Sequence, residues 1–497
     1  MRLGQLPLIS AAFVLTFAAT VAQASVTISN DPTKNMNCAG GVCMPTGKNA
    51  NLNGNDLVAM LASSDVTVKS TANAPALGVL DALAWTSIHR LTLDAYESIH
   101  VRAPIVVEGT GGLTLTTNDG GTGGDYLLED GGHVNFRDPA SSLVINGHSY
   151  TLIRDIKTLA NDITGKSSGS YALANDYDAS ADGTYVSAPV TAFDGAFEGL
   201  GNIISNLTIH SEARGVGIGL FGTLQPDGII RDLGLVKVKM SGRRFSVTRA
   251  GTGALSGYNS GTIMYVSVEG SVLGRDNVRN TFTGVGGLVG GNSGTILRSS
   301  SAAQVKGIGA SIYAGGLAGE NSGTIELSRA TGAVHGGFES GGLVGSNFGA
   351  IVQSFATGSV SAGSYGIAGG LTGLNAGGRI RQSYASGFVS SNDGIVGGLV
   401  GDNDHSLISQ SYATGSVNGG YPGGFVGQDL AGQYDSSYWD MTTSGRENGF
   451  YSGGSAGVIG LTDAQLKAKL PNGFNRLVWG QNPSANNGWP YLLANPP

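Results

Sequence analysis

The chain has 497 residues, of which 83 are glycine, and only 13% of its residues are charged against 40% that are hydrophobic. Glycine usually makes up about 7% of a sequence, so this chain has a surplus of glycine. The hydrophobic content is too high for a disordered chain. We therefore expect glycine at turns that need a positive φ. The formal net charge of −7 argues against nucleic acid as the partner.

The first 24 residues predict a secretory signal peptide. Arg2 gives a weak positive start, an apolar stretch runs from Leu8 to about Ala19, and a small-x-small cleavage site ends at Ala24. The apolar stretch is shorter than the roughly 20 residues that span a bilayer, and a retained membrane anchor is the alternative. No later stretch is long and apolar enough to span, so we expect a mature chain without a transmembrane segment, secreted or at the cell surface.

Residues 25–154 contain short runs in which apolar and polar residues alternate, such as residues 99–101 (Ile-His-Val) and 113–115 (Leu-Thr-Leu), separated by glycine-containing turns. A period of two predicts half-buried strands, and we expect an N-terminal β-helical region here. Cys38 and Cys43 are the two cysteines of the chain. In an exported protein they predict a small disulfide loop.

Residues 155–215 form a lead-in to the repeats that follow. Its densest acidic stretch contains Asp176, Asp178 and Asp182. A calcium loop and a capped turn are the two interpretations. The spacing does not fit an EF-hand and no glutamate closes the stretch, so the pattern favours the capped turn.

Residues 216–440 repeat a phrase of the form Gly-Gly-Leu-Val-Gly-x-Asn-x-Gly-x-Ile. The spacing of its apolar anchors falls from 35 residues (Leu220 to Leu255) to 26 (Leu399 to Phe425). Short β runs between glycines, without any helix signature, predict that each repeat is one coil of a β-solenoid. The anchors are Leu220, Leu255, Leu288, Leu317, Leu343, Leu371, Leu399 and Phe425.

Each repeat predicts three short strands, the third ending at a valine such as Val389. Small residues two positions apart, such as Ser383 and Ala385, should point into a narrow interior. Tyr384 stands between them, and it should point outward with Tyr412 of the next repeat.

Asparagines also recur four residues after the anchor. They could be ligands for a cation or a sugar, or they could stack as a ladder at a turn. Recurrence at one register favours the ladder. The residues are Asn259, Asn292, Asn321, Asn347, Asn375 and Asn403.

Basic residues are concentrated at the two widest repeat spacings. Lys237 and Lys239 lie two apart, so both side chains should leave a strand on one side. Arg243 and Arg244 follow. These four residues predict either a solvated loop or a patch that binds an anionic glycan or lipopolysaccharide, because long connections of a solenoid form its binding face. Further arginines nearby are Arg249, Arg275 and Arg279.

Residues 441–497 predict a C-terminal cap with a short helix. Thr462 and Gln465 have the spacing of a capping box, and Leu466 and Leu470 share one face of the helix that follows. Bulky residues such as Trp479 should cover the open last coil, since an exposed strand edge invites pairing between chains.

The repeat phrase closely resembles the GLUG repeat of filamentous haemagglutinin-like adhesins, which also occurs in some bacterial immunoglobulin A peptidases. Residues 171–176, 197–202 and 437–440 resemble the segments that flank such arrays. The resemblance implies an exported adhesive rod on a bacterial surface or in the medium. The expected fold is all-β, a right-handed parallel β-helix (β-solenoid) with the short helical cap.

The sequence offers no catalytic, cofactor-binding or metal-binding motif. A metallopeptidase needs a His-Glu-x-x-His pair, and none of the seven histidines belongs to one. A polysaccharide lyase or hydrolase needs clustered carboxylates with a basic residue, whereas Glu320, Glu326 and Glu339 are sparse and out of register. We therefore expect a non-catalytic binding protein for a surface glycan or protein. A carbohydrate-active enzyme and a purely structural matrix protein are the alternatives.

Overall fold

The computed structural model of the chain describes residues 25–212, 217–244, 251–276 and 283–497. It is almost entirely β, with 51% of residues in strands and 8% in helices, and it forms a β-solenoid of about 15 turns. The all-β solenoid predicted from the repeats is confirmed. The predicted signal peptide lies outside the described residues, as do Arg249 and Arg279 of the basic segment.

Short helices accompany the strands. Within the described ranges, none of them is long and apolar enough to cross a membrane. The side chain of Asn53 caps the first helix by accepting hydrogen bonds from the backbone N–H groups of Asn55 and Asp56. The helices are α1 (Gly54–Leu61), α2 (Ile156–Gly165), α3 (Met441–Ser444) and α4 (Asp463–Ala468), with 3₁₀ turns at Ala179–Asp182 and Asn486–Gly488.

The N-terminal part stacks its strands in parallel ladders, and it contains an antiparallel hairpin of Met36–Ala39 and Val42–Pro45. One ladder contains Ala50–Asn53, Ser25–Ser29, Ala76–Val79, Ile99–Val101 and Tyr126–Leu128. A second contains Val42–Pro45, Val66–Lys69, Arg90–Asp94, Gly112–Thr116 and Ser142–Ile145. A third contains Leu83–Trp85, Ile105–Val107 and Val134–Phe136.

A tight hairpin reverses the chain between the N-terminal stack and the repeats. Ser142–Ile145 pairs antiparallel with His148–Ile153 across Asn146 and Gly147, whose φ angles are 48° and 80°. His148–Ile153 then pairs in parallel with Ser170–Leu173, which leads into the repeat array. Two large hydrophobic cores result. One consists mainly of residues before this hairpin together with Ala172, Ala174 and Leu200, and the other runs from Ile153 to Trp439.

Each coil of the repeat array crosses five parallel ladders, named A to E here in the order of crossing. Ladder A, just before the anchor, holds Thr283–Gly286, Ile312–Gly315, Glu339–Gly341, Ile367–Gly369 and the C-terminal ends of Val389–Gly397 and Val417–Gly423. Ladder B, just after it, holds Val190–Phe193, Phe221–Leu224, Ser256–Asn259, Val289–Asn292, Ala318–Asn321, Val344–Asn347, Thr372–Ala376, Val400–Asp404, Val426–Leu430 and Phe450–Ser452.

Ladder C carries the isoleucine of the repeat. It holds Ala196–Glu198, Ile229–Arg231, Thr262–Met264, Thr295–Leu297, Thr324–Glu326, Ala350–Val352, Arg379–Arg381, Leu407–Ser409 and Gln433–Asp435. Ladder D holds Tyr177–Asp178, Ile203–Ser205, the N-terminal ends of Gly234–Arg244 and Ser267–Asp276, then Ser300–Ser301, Arg329–Ala330, Phe355–Ala356, Tyr384–Ala385, Tyr412–Ala413, Ser437–Asp440 and Val458–Leu461.

Ladder E completes the coil. It holds Thr184–Tyr185, Thr208–Ser211, the C-terminal ends of Gly234–Arg244 and Ser267–Asp276, then Gln304–Ile308, Val334–Gly336, Val360–Ala362 and the N-terminal ends of Val389–Gly397 and Val417–Gly423. The prediction of three strands per coil was wrong, because the chain continues past the valine. In the later coils ladders E and A enclose a small core of their own, formed by Val360, Ala368, Val389, Val396 and Val417.

The apolar anchors stack in the interior as predicted. The backbone N–H of Leu288 donates to the carbonyl of Leu317, and that of Leu317 donates to Leu343, both at 2.9 Å. All eight anchors are fully buried. The predicted small interior residues Ser383 and Ala385 are buried as well.

Most glycines of the repeat phrase permit close backbone approach, and the positive φ expected from composition occurs at other glycines, such as Gly183 and Gly336. A Cβ added at Gly315 would overlap the carbonyl oxygen of Ala318, and one at Gly341 would overlap that of Val344. The left-handed corner after ladder C is instead taken by residues with a side chain. They are Arg298, Leu327, Gln353, Gln382 and Gln410, with φ between 45° and 52°.

The recurring asparagines form the predicted ladder. Each side-chain amide donates to the side-chain oxygen of the next asparagine, over distances of 2.7–2.8 Å from Asn259 to Asn403. The last amide donates to the Tyr434 hydroxyl at 2.9 Å, which donates to Asp429 at 2.6 Å. Asp429 occupies the next ladder position in register with Asn403, so the row ends where an acid replaces the amide.

The C-terminal segment folds back along the side of the array. Thr462 and Gln465 form the predicted capping box of α4. Beyond this helix, Phe474, Trp479 and Leu492 cover an aromatic stack on the outer face of ladder D. Asn495 reaches as far as the backbone carbonyls of Ser328 and Gln353. The segment thus braces several coils laterally, and the prediction that it covers only the end was incomplete.

Tyr384 and Tyr412 point outward but are not exposed. Their rings stack at a centroid distance of 5.0 Å and an interplanar angle of 5°. Both residues are fully buried beneath the C-terminal segment. The sequence pattern indicated the correct face, and only the folded-back segment explains why that face carries aromatic residues.

Candidate functional site

The sequence spacing predicted that Lys237 and Lys239 share one face of a strand. In the structure they do not lie on one flat strand face. Lys237 sits with a φ of 56° at the corner where Gly234–Arg244 passes from ladder D to ladder E, and the register shifts there. Both lysines are nevertheless exposed. The pKa of the neighbouring Asp178 carboxyl is lowered, first by a hydrogen bond from Asn206 and also by the charge of Lys237. Lys237 thus has a nearby negative charge.

Stacking brings cations of consecutive coils onto one outer surface of ladder E. Arg243 pairs in register with Arg275, and Leu273 beside it pairs with Lys306. Neighbouring strands lie about 4.8 Å apart. The basic face is defined here as Lys239, Arg243, Arg275 and Lys306, all of which are exposed.

The basic face carries one close counter-charge among the described residues. The Nη1 atom of Arg243 lies 3.5 Å from the Oε2 atom of Glu212. The backbone of Arg244 pairs with Asp276, and its side chain lies outside the described part of the structure. Sequence reasoning missed Lys306, which only the strand register brings beside these arginines.

Cys38 and Cys43 form a disulfide bond that joins the two strands of the first hairpin, with a Cα–Cα distance of 4.0 Å. Cys43 is buried and Cys38 is exposed. The bond lies in the N-terminal stack, and the basic face lies in the repeat array.

A buried charge cluster joins the N-terminal stack to the repeat array. Arg231 of ladder C donates two hydrogen bonds to Asp125, at 2.9 and 3.2 Å, and one to the backbone carbonyl of Tyr126 at 2.8 Å. Its Nε donates to Asp232 at 2.6 Å. The guanidinium lies 3.9 Å from the centroid of the Tyr126 ring, and the Tyr126 hydroxyl donates to Glu198.

This cluster contains more carboxyl groups than positive charges. Arg231 supplies one positive charge against the carboxyls of Asp125, Glu198 and Asp232. Burial raises the pKa of Glu198 well above its usual range and raises that of Asp232 to about 6. One oxygen of Glu198 is buried without a hydrogen-bond partner. Burial therefore favours the protonated form of Glu198.

The cluster has the residue types of a catalytic site but not its access. Glu198 is 2% exposed, Asp232 5% and Arg231 7%. A substrate could not reach their reactive atoms without displacing the Asp125 segment. We interpret the cluster as a structural lock between the two stacks.

Along the array, a row of side chains from ladder A lies beside a row from ladder B, and the strip between the two rows is named the cleft here. One wall is a row of register-paired residues on ladder A, namely Tyr313, Glu339, Ile367, Ile395 and Tyr421. The other wall is a row on ladder B, namely Glu320, Ser346, Leu374, Asp402, Gln428 and Ser452. A cavity of about 220 Å³ lies between the two rows at their C-terminal end.

Carboxyl groups from separate coils lie along this cleft, and the charges of Asp402 and Glu320 add to the effect of burial on the pKa of Glu339. Burial raises the pKa of Glu339 to about 8 and that of Asp402 to about 6, and it also raises the pKa of Glu320. Glu339 and Asp402 each have a buried oxygen without a hydrogen-bond partner. The signal that sequence reasoning lacked was the packing of ladder A against ladder B, which belong to different sheets.

The acidic lead-in forms a capped turn. Asp182 accepts hydrogen bonds from the hydroxyls of Tyr177 and Tyr185, both at 2.8 Å, and Asp178 accepts from the backbone N–H of Ser180. In the described part of the chain, no group of three or more His, Cys, Asp or Glu side chains could hold a metal ion.

Neither a protein-family model nor a curated protein matches the chain. Among solved structures, it is similar to a protein from Bacteroides ovatus whose crystal structure is named as that of a candidate immunoglobulin A1 protease. The identity is 19% and the TM-score 0.36, with 70% of this chain and 93% of the other covered. A similarity of this size supports no inference about activity.

Proposed function

We propose that the chain is an exported bacterial protein, secreted or displayed on the cell surface, that binds an anionic glycan without catalysis. The single observation that supports this function is the basic face. Lys239, Arg243, Arg275 and Lys306 converge there from three coils, in a protein with a net charge of −7. Sulfate and phosphate groups are the natural partners of such a surface.

The solenoid suits this task because it holds the cations at fixed spacing. Inward neighbours such as Val238, Met240 and Val272 are almost fully buried, so the strand beneath the basic face is anchored in a packed core. Preorganised charges lose less conformational entropy when a ligand binds. A repeating polyanion can then contact several coils at once.

Binding of sulfated and phosphorylated glycans to residues 25–497 tests the proposal. We expect binding that weakens steeply with salt, because exposed charges are screened. Changing all four residues of the basic face to Ser should weaken binding on the order of tenfold or more at low salt. The sequence-based set, Lys237, Lys239, Arg243 and Arg244, should lose less because it includes the corner lysine and lacks two of the converging cations.

A matched control uses cations elsewhere on the rod. Arg379 and Arg381 are exposed on ladder C, and changing both to Ser should leave binding at the parent's level. Equal losses for the control and the basic-face variant would show a non-specific charge effect. No binding by the parent would favour a purely structural matrix protein.

The cleft carboxyls favour a second candidate, a carbohydrate-active enzyme. Glu339, with a pKa of about 8, would hold a proton for a leaving group at neutral pH. It is 4% exposed, so a substrate would have to displace the side chains that cover it. Incubation with polysaccharides, followed by an assay for new reducing or unsaturated ends, separates the two functions. Product that disappears in Glu339→Gln would establish the enzyme.

Export is tested independently of binding. The proposed signal peptide predicts that the mature protein begins at Ser25. N-terminal sequencing of the protein recovered outside the cytoplasm should find that residue. An unprocessed start at Met1 would contradict this part of the proposal.

A further inference from the structure

The cavity at the C-terminal end of the cleft has an unusual wall. It is lined by Ile395, Tyr421, Gln428, Tyr451 and Ser452. Tyr421 is 46% exposed and Tyr451 is 52% exposed. Their ring centroids lie 5.0 Å apart at an interplanar angle of 58°. Two tyrosine faces are thus held beside each other in contact with solvent.

A break in the repeat creates this cavity. In earlier coils the ladder A side chain packs onto a glycine of ladder B, as Ile367 packs toward Gly401 and Ile395 toward Gly427. The register pairs Val426 with Phe450 and Gln428 with Ser452, which puts Tyr451 at the position of that glycine in the last coil. Tyr421 therefore cannot settle onto a flat backbone, and the space between the rows stays open.

Polar groups complete the lining. Gln428 is half-buried and Ser452 is exposed, so an amide and a hydroxyl face the same space as the rings. Asp402 pairs in register with Gln428, one strand further along the cleft. Its buried oxygen has no hydrogen-bond partner in the described structure. No lysine or arginine lines the cavity.

We propose that this cavity binds a sugar unit of an uncharged glycan, with Tyr421 and Tyr451 against its C–H face and Gln428 and Ser452 bonding its hydroxyls. A pyranose ring is amphipathic, with an apolar face and a rim of donors and acceptors. Aromatic side chains combine a large apolar surface with defined geometry, and a few polar groups fix orientation in ligand pockets. None of the five lining residues carries a charge that could pair with a charged ligand. Asp402 lies one strand away from the cavity.

This site is separate from the basic face, so the two proposals fail independently. The cavity lies between ladders A and B in the last coils, whereas the basic face lies on ladder E near residues 239–306. Sugar binding here should not depend on salt. The variant that removes the four cations of the basic face should retain it.

The test is isothermal titration of the full mature chain with cellohexaose, maltohexaose, mannohexaose and chitohexaose. We expect at least one of these probes to bind, and Tyr421→Ala or Tyr451→Ala to weaken that binding about tenfold or more. Tyr451→Gly restores the repeat glycine and should close the cavity, with the same loss. Tyr365→Ala is the matched control, because Tyr365 is 74% exposed and does not line the cavity.

The outcomes are decisive because the changed side chains are exposed. Thermal melts of the tyrosine variants should match the parent, which separates lost binding from lost fold. The proposal is overturned if none of the four probes binds at millimolar concentration. It is equally overturned if Tyr421→Ala and Tyr451→Ala bind as tightly as Tyr365→Ala.

Discussion

The asparagine ladder and the Arg231 cluster are two ways of burying polar groups in one solenoid. The ladder uses neutral amides, one per coil, and each amide donates to an identical neighbour at 2.7–2.8 Å. The cluster uses one guanidinium and three carboxyls that belong to different segments, with Asp125 and Arg231 separated by 106 positions. In the ladder, each amide finds its hydrogen-bond partner in the next repeat. In the cluster, the charged groups find theirs through one contact between distant segments.

The difference lies in what each arrangement costs to break. A neutral ladder loses one or two hydrogen bonds when a member is removed, and the rest of the row is unaffected. A buried ion group that loses one partner leaves uncompensated charge in a medium of low dielectric constant. The repeats therefore tolerate local change, whereas the junction between the two stacks does not.

The largest effect is expected at the centre of the cluster. Arg231→Met should destabilise the protein by about 3–5 kcal/mol, because Asp232 loses its counter-charge in a buried site and the ion pair with the partly exposed Asp125 is lost. Urea unfolding followed by circular dichroism measures the shift. Arg379→Met is the control on the same ladder, since Arg379 is exposed. Equal shifts for both variants would refute the lock.

The ladder should respond less strongly. Asn347→Ala removes both neighbouring ladder bonds, at a cost of roughly 2–4 kcal/mol. The Asn321 amide keeps only its longer bonds to the carbonyls of Gly323 and Ala350, and the Asn375 oxygen loses its ladder donor. Asn418→Ala, at an exposed position of ladder E, should be close to neutral. Thermal unfolding of the two variants gives the comparison. A neutral result at Asn347 would mean that water or a neighbour replaces the lost amide.

The aromatic stack offers a matched pair in which a repeated position meets a unique partner. The Tyr412 hydroxyl donates to the carbonyl of Pro490 at 2.5 Å and accepts from Asn486 at 2.8 Å. Tyr412→Phe should therefore cost about 1–2 kcal/mol. The Tyr384 hydroxyl is buried without a partner, so Tyr384→Phe should be neutral or stabilising. Identical melting temperatures for the two variants would contradict this account.

The smallest effect is expected at Glu198. Because burial favours the protonated form of this carboxyl, Glu198→Gln should change stability at pH 7 by about 1 kcal/mol or less. A raised pKa means that the folded state holds the proton more tightly than the unfolded state does. The stability from this proton is fully present below the usual pKa and is lost as the pH rises through the raised one.

The melting temperature of the parent should therefore fall as the pH rises from 4 upward, and that of the Gln variant should fall less. Melting temperatures at a series of pH values measure both slopes. Asp232, whose pKa is about 6, contributes to the slope of both proteins. Parallel slopes would show that Glu198 is ionised in the folded protein.

The sequence predicted the features that recur once per coil. The anchors, the asparagine ladder and the inward serine and alanine positions all follow from a constant register, because stacked coils place equivalent residues directly over one another. The number of strands per coil was missed. Ladders E and A pack against each other through small residues such as Ala368. No strong apolar period in the sequence marks the turn between them.

Contacts between distant segments could not be predicted from the repeat. Nothing in the order of Asp125, Glu198 and Arg231 indicates that they meet, since each belongs to a different coil. The same limit applies to Tyr384 and Tyr412, which lie under a segment that returns from the C-terminus. The basic face was predicted in part. Arg243 and Lys239 were identified from concentration alone, and Lys306 needed the register.

The asparagine ladder has a polarity, and this bears on how the rod can change its length. Every amide donates in the same direction along the chain, so each repeat presents one donor on one side and one acceptor on the other. A duplicated or deleted repeat preserves that match and creates no orphan group. Only the terminal pair of Tyr434 and Asp429 is fixed, because it receives the last amide without passing it on. Repeat number is thus free to drift while the final coil stays constant.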